Sequence, residues 1–425
     1  MKFFKNIYFV IIFFMLITTF IMGQDNFYNP YSRYGIGDLQ NTNHSLIYGL
    51  GINGGTFYDK SIINYLNPAT YSVFDSSSVV INIGANAIGN ILENSKQSSY
   101  KWGGGLSMVG GGFRINKFLS TAIGLVPFSN VGYKIVDSMP QFTSSSYNNV
   151  YSSHGGINQA FLGFGINITK NFSLGINFSY LFGSIYQSKC TDFDSTYFFD
   201  NRYINETFVN DFYFNAGLHY LIPMQKSNLS FSFTYAPELS IDASRTIRSE
   251  LVTFGIYNDI GIDTTAESKI KGKYEFPAFY CAGISWDNKE NIKIFIDGYF
   301  SKWKNFKNFG ETDSLQNSFA IQSGISFIPK PNSLKNIFLR SNYIISFKYA
   351  KTYLNLRNTS LDAYTFSTSM LLPFRPIFKS VSSIGINFAY TYLGTKKNNL
   401  IAVNNFNIGI SIHLKEGFYE RKKYE

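Results

Sequence analysis

Charge is scarce in this chain of 425 residues: Asp, Glu, Lys and Arg together make up 15%, against about 25% in ordinary soluble domains. A water-facing surface of normal charge density is therefore excluded over much of the sequence. Two cysteines, Cys190 and Cys281, exclude a disulfide framework and any thiolate metal motif. Four histidines, His44, His154, His219 and His413, lie far apart and lack helix-based ligand spacing. Proline is also sparse, with 11 residues. Past the N-terminus no apolar run is long enough for a transmembrane helix, and helical periodicity is rare.

What is abundant is aromatic and small. Aromatic residues reach 18%, with 43 Phe and 31 Tyr, beside 35 Gly. Mean hydropathy is nonetheless −0.06, so apolar and polar residues are interleaved. The interleaving has a period of two. Phe172, Leu174, Ile176, Phe178 and Tyr180 alternate with Ser173, Gly175, Asn177 and Ser179. Ile384, Ile386, Phe388, Tyr390 and Tyr392 alternate with Ser383, Gly385, Asn387, Ala389 and Thr391. Leu229, Phe231, Phe233 and Tyr235 repeat the pattern, as do Phe406, Ile408, Ile410, Ile412 and Leu414. A soluble β-sandwich also alternates, but its polar face carries many charges. Here that face carries Ser, Asn, Gly and Thr, as strands between lipid and an enclosed interior require.

These runs predict an all-β fold, a transmembrane antiparallel barrel of about fourteen strands. The predicted spans are 77–87, 101–115, 118–127, 156–168, 171–186, 206–221, 228–248, 268–286, 291–304, 315–328, 336–350, 361–373, 381–394 and 403–414. Connections alternate between short turns, such as Asn116-Lys117 and Thr169-Lys170, and longer polar loops, such as 128–155, 187–205 and 249–267. Outer-membrane barrels pair short periplasmic turns with long outer loops. With an even strand count, both barrel ends fall on the periplasmic side.

Lys2 and Lys5 precede an apolar stretch from Ile7 to Met22. This is the layout of a signal peptide over residues 1–23, with Gln24 as the mature start. The stretch is shorter than the roughly 20 residues of a membrane anchor helix. Residues 24–76 alternate little yet keep aromatic and apolar side chains, which places them in the lumen as an N-terminal plug ahead of a barrel at 77–414. Residues 415–425 form a charged periplasmic tail. The net charge of +10 and pI near 9.2 come from dispersed turn lysines and this tail, not from a nucleic-acid face.

Other patterns read more simply as structure. Gly49-Leu50-Gly51-Ile52-Asn53-Gly54 has the spacing of a dinucleotide fingerprint but no strand before it or helix after it. Gly103-Gly104-Gly105 and Gly110-Gly111-Gly112 lack the lysine of a phosphate loop and suit bends in strands. Pro127 removes a ladder donor, marking either a strand end or a local break in the wall with Phe128. No cofactor, metal or catalytic constellation emerges, and the chain reads as a non-enzyme.

Several segments, in order, resemble one family. Asn29-Pro30-Tyr31-Ser32-Arg33-Tyr34-Gly35-Ile36-Gly37, Asn67-Pro68-Ala69-Thr70, Val126-Pro127-Phe128, Glu275 to Ser285, Asp297 to Trp303, Leu315 to Pro329, Leu339 to Tyr343 and Leu372-Pro373 carry the likeness. The chain resembles FadL-type outer-membrane transporters of long-chain fatty acids and other hydrophobic compounds, in a Bacteroidetes-type form. Two departures stand out: Ser341-Asn342 replaces the usual glycine, and the tail after Leu414 replaces a terminal aromatic residue.

The resemblance implies a fourteen-stranded barrel in the bacterial outer membrane that passively takes up hydrophobic small molecules. Asn67, Pro68, Ala69 and Thr70 would belong to the plug that guards passage, and Pro127 and Phe128 to a wall break. Expected partners are outer-membrane lipid and lipopolysaccharide, a hydrophobic ligand and the barrel assembly machinery, with no nucleic acid. The alternatives are a structural or accessory barrel of a secretion or gliding machinery, and a general porin.

Overall fold

The computed structural model describes residues 28–39, 54–76, 78–139, 147–193, 199–254, 259–313, 315–333, 336–374 and 382–417. The expected signal peptide, most of the Gly49–Gly54 run and the end of the charged tail lie outside them. Every long element is a strand, and together they form one closed antiparallel barrel of fourteen wall strands. In chain order these are β1 (Ser78–Glu93), β2 (Ser98–Arg114), β3 (Leu119–Met139), β4 (Tyr147–Asn167), β5 (Phe172–Phe193) and β6 (Asp200–Pro223). Next come β7 (Asn228–Ala236, resumed as Leu239–Phe254) and β8 (Asp259–Phe276, resumed as Phe279–Asp287). The wall ends with β9 (Ile292–Ser301), β10 (Ser318–Phe327), β11 (Asn342–Leu356), β12 (Thr359–Phe374), β13 (Ser382–Gly394) and β14 (Ala402–Gly417). Strand β14 closes on β1, from Ala402 opposite Glu93 to Gly417 opposite Ser78.

The period-two pattern sorts side chains as expected. On β14, Ile408 and Ile410 are exposed, while Ser411 and His413 are buried inside. On β5, Leu174, Phe178 and Tyr180 face outward while Ser173, Asn177 and Ser179 are buried. Closure matters because lipid offers no hydrogen bonds, so backbone groups must be paired within the protein.

Two prolines interrupt wall strands without shifting them. Ala236 lies opposite Phe279 and Leu239 opposite Phe276, so β7 and β8 keep one register across Pro237 and Pro277. Beyond β9 the chain turns inward through a 3-10 turn, Trp303–Asn305. This puts Trp303 and Phe306 into the lumen, both buried.

The wall is uneven in height. Strands β3 to β6 run 21 to 24 residues, against 10 for β9 and β10. A tilted strand needs only about 9–11 residues to cross a membrane, so one side of the barrel rises well past the bilayer. A crease crosses this raised wall. At Gly155 φ is +109°, and an added Cβ would lie 2.3 Å from the Ser184 carbonyl oxygen, so only glycine fits there.

If the outer rows face hydrocarbon, Ile410→Lys will destabilise the barrel by about 2–4 kcal/mol, read as a lower denaturant midpoint in lipid vesicles. An unchanged midpoint would place that row in water.

Candidate functional site

The wall has a long gap in its ladder between β2 and β3. These strands pair only from Val109–Leu125 to Arg114–Ser120. Above that, residues 98–108 of β2 pair with β1 alone, and β3 beyond Leu125 pairs with β4. A bulge sits on each side of the gap. The β1–β2 register shifts between Gly84 and Ala85, leaving Ser107 as the extra residue. The β3–β4 register shifts between Pro127 and Ser129, leaving Phe128 as the extra one. Bulges bend a strand and increase its twist, so the two edges part. Pro127, without an N–H, loses nothing at such a point.

The N-terminal segment covers the freed edge of β3. Asp38 and Leu39 pair with Asn130 and Ser129. Asn29 N donates to Gly132 O at 2.8 Å, and Gly132 N donates to Ser32 Oγ at 3.1 Å. Lys134 N donates to the Tyr28 hydroxyl at 2.9 Å. Tyr28 also reaches the other side: its carbonyl accepts from Asn90 Nδ2, and Lys101 lies 5.2 Å from its ring centroid. The segment thus bridges the gap.

Residues 54–76 fill the lumen below. Asn67 is fully buried and caps the 3-10 turn Pro68–Val73, accepting from Ala69 N at 3.2 Å. Its Nδ2 donates to Gly55 O at 2.9 Å and to Leu218 O at 3.2 Å. The turn is seated directly on wall glycines. A Cβ on Gly175 would lie 2.3 Å from the Pro68 carbonyl carbon, and one on Gly217 would lie 2.1 Å from Asn67 Oδ1. Asn177 holds the same segment, donating to Tyr65 O at 2.7 Å and accepting from the Tyr71 hydroxyl at 3.1 Å.

A further anchor lies at a position without any site motif. Asp297 of β9 is fully buried, and its carboxylate accepts from Thr56 N at 3.0 Å and from Thr56 Oγ at 2.9 Å. Lys293, two turns of the pleat away, donates to Tyr58 O at 3.2 Å and stacks on that ring at 3.3 Å. Burial pushes the Tyr58 phenol up to about 12, so it is protonated and donates to Asp287 Oδ2 at 3.1 Å. An acidic residue in an alternating strand gives no sequence signal of this role until the segment packs against it.

Between break and lumen lies an apolar cavity of about 50 Å³, lined among others by Phe128, Tyr213, Phe276, Phe279 and Trp303. Small-molecule sites usually span about 300–1,000 Å³, so this conformation is shut. Phe128 belongs to both features: it is the extra residue of the bulge and part of the cavity wall. Asn67 to Thr70 lie elsewhere, against β5 and β6. Among the described residues no three His, Cys, Asp or Glu side chains are placed to hold a metal ion.

Two substitutions test the seat. Gly175→Val is expected to lift the Pro68–Ala69 turn, exposing residues 54–76 to added protease while the barrel still migrates as folded. Thr56→Val removes a donor from the buried Asp297 and is expected to cost about 1–3 kcal/mol, read by chemical denaturation.

Comparison with known proteins fits this geometry. No curated protein sequence matches the chain. Among solved structures, a Pseudomonas aeruginosa FadL homologue superposes with a TM-score of 0.61 at 11% identity, over 90% of this chain and 100% of that one. The P. putida toluene transporter TodX gives 0.52 at 11% identity, over 84% and 93%. The Ralstonia pickettii toluene transporter TbuX gives 0.51 at 10% identity, over 83% and 92%. These likenesses establish the shared fold, a closed antiparallel β-barrel, and the chain is an outer-membrane barrel. One family model spans nearly the whole sequence, residues 3–425, and by that match the chain belongs to the BamG family.

Proposed function

We propose that the chain provides a closed, openable passage for hydrophobic small molecules, such as long-chain fatty acids, across the outer membrane. The observation that carries this reading is the interrupted β2–β3 ladder beside an apolar cavity. A solute entering from the loop end would reach that cavity and leave sideways through the break, past Pro127 and Phe128. Transfer of its apolar surface from water into lipid favours the overall passage by about 25 cal/mol per Å². Residues 54–76 act as the plug, with Asn67 to Thr70 as its seated turn, so that no continuous water route forms. The chain segment at residues 28–39 must leave the edge of β3 for the exit to open. The FadL, TodX and TbuX likenesses support this reading, since the latter two are described as toluene transporters.

A second reading has its own support. The lumen is filled by buried side chains, and the cavity of about 50 Å³ is too small for a fatty acid as it stands. The family match, to BamG, points to the machinery that assembles outer-membrane barrels. On this reading the filled barrel is a structural or accessory member of that machinery and passes no solute.

A crosslink separates the two. Cysteines placed at Asn29 and Gly132, whose backbones already meet at 2.8 Å, will pin the segment to β3 when oxidised. The passage reading expects uptake of labelled oleate to stop on oxidation and return on reduction. Uptake that continues in fully crosslinked protein sinks it. Wild-type protein without uptake, yet retained with assembly components on purification, favours the accessory barrel.

A further inference from the structure

The raised wall encloses a second cavity, of about 360 Å³, at the loop end of the barrel. Its floor is the N-terminal segment at Ser32 to Gly37, and its sides come from β3 to β8. Three cations from different elements line it: Arg33 of the segment, Lys189 of β5 and Arg245 of β7. The Arg33 guanidinium and the Lys189 ammonium converge on one ring, 5.1 and 5.8 Å from the centroid of Tyr151. The Arg245 guanidinium lies 4.0 Å from the Phe309 centroid and donates to Asn308 Oδ1 at 2.6 Å. Among the described residues none of the three forms an ion pair.

Acidic groups do not cancel this charge. Asp313 is the one carboxylate among the lining residues, and it accepts from Gly35 N at 3.1 Å. Glu250, farther up the wall, is paired with Arg202 at 2.7 Å and Arg248 at 3.4 Å. Two polar atoms of lining residues are buried without a partner, Arg245 Nε and Asn205 Oδ1. Buried polar atoms rarely stay unpaired, and each unpaired group is costly. One is a donor on a cation; the other is an acceptor. The remaining lining is hydroxyl and amide, including Ser32, Gln187, Ser188 and Thr207.

We propose that this vestibule binds a small polyhydroxylated anion of the sugar-phosphate or sugar-acid class. Anionic oxygens would answer the three cations, and hydroxyls would answer the acceptors around them. The volume lies within the range of about 300–1,000 Å³ usual for small-molecule sites. The inference goes beyond hydrophobe passage and does not rest on it, because the vestibule is polar and lies above the segment that covers the apolar cavity. The same chemistry occurs in the phosphorylated sugars of a lipopolysaccharide head group and in free sugar phosphates.

The test uses the full chain folded in nanodiscs, titrated with glucose 6-phosphate by calorimetry, with glucose as the neutral control. Binding of glucose 6-phosphate is expected to exceed that of glucose at least tenfold and to weaken as salt rises. The double variant Arg33→Gln/Lys189→Gln is expected to weaken it at least tenfold with an unchanged melting temperature. The control variant Lys170→Gln/Lys226→Gln, altered in two turns at the opposite end, should bind as wild type. If nanodiscs containing lipopolysaccharide block the titration while phospholipid nanodiscs do not, the head group is the source; equal titration in both identifies the free anion. No binding in phospholipid nanodiscs, equal affinity for glucose, or an unaffected double variant overturns the proposal. None of these readouts depends on fatty-acid uptake.

Discussion

Everything in this molecule answers to the demand that backbone N–H and C=O groups find partners where lipid supplies none. Closing β14 on β1 meets that demand around the wall. A long exception is the β2–β3 gap, and there the N-terminal segment supplies what the missing ladder does not. Asn29, Ser32, Asp38 and Leu39 occupy the edge of β3 that β2 leaves open. The segment is therefore part of the wall as well as of the lumen filling. Any opening of the break must first replace those hydrogen bonds, with water or with another backbone.

The interior works by a different balance. Its wall residues are small and polar, which in a wide pore would line water. Here they hold chain instead. Asn177 and Asn215 of β5 and β6 donate to the carbonyls of Tyr65 and Leu66, and Asn177 accepts from the Tyr71 hydroxyl. Gly175 and Gly217 let that backbone approach to contact distance. Asp297 and Lys293 add charge-assisted bonds that hold best when dry. The result is a lumen closed by specific contacts at its turn end and open as a cationic vestibule at its loop end. Apolar groups lie between the two, beside the break. A solute with an apolar body and a polar vestibule ligand would meet different chemistry at successive levels of the same barrel.

Much of this was legible in the sequence, and some was not. Alternation in segments such as Phe172–Tyr180 and Phe406–Leu414 reports the wall directly, because each strand residue has only two faces to choose from. The glycine triplets at 103–105 and 110–112 and the proline at 127 marked bends, and the break lies among them. Three features were hidden. The spans at 228–248 and 268–286 read as single runs, although Pro237 and Pro277 interrupt their ladders, because the register continues on either side. The inward excursion at Trp303 and Phe306 read as the end of a strand, since alternation says nothing about a chain leaving the wall. Asp297 opens a segment that carries the family likeness, but nothing marked it as an anchor: one acidic residue on a polar face is ordinary until a partner 241 positions away in sequence arrives.

The sequence by itself determined that the chain is a barrel, roughly how many strands it has, and which rows of side chains meet lipid. Those properties follow from local periodicity and from the length needed to cross a membrane, so no distant contact is needed to read them. Only the tertiary structure decided where the wall parts, what covers the parting, and how Arg33, Lys189 and Arg245 come to share one cavity. These depend on register between strands and on the path of a segment without periodicity. Closure of the barrel fixes both only when every strand is in place.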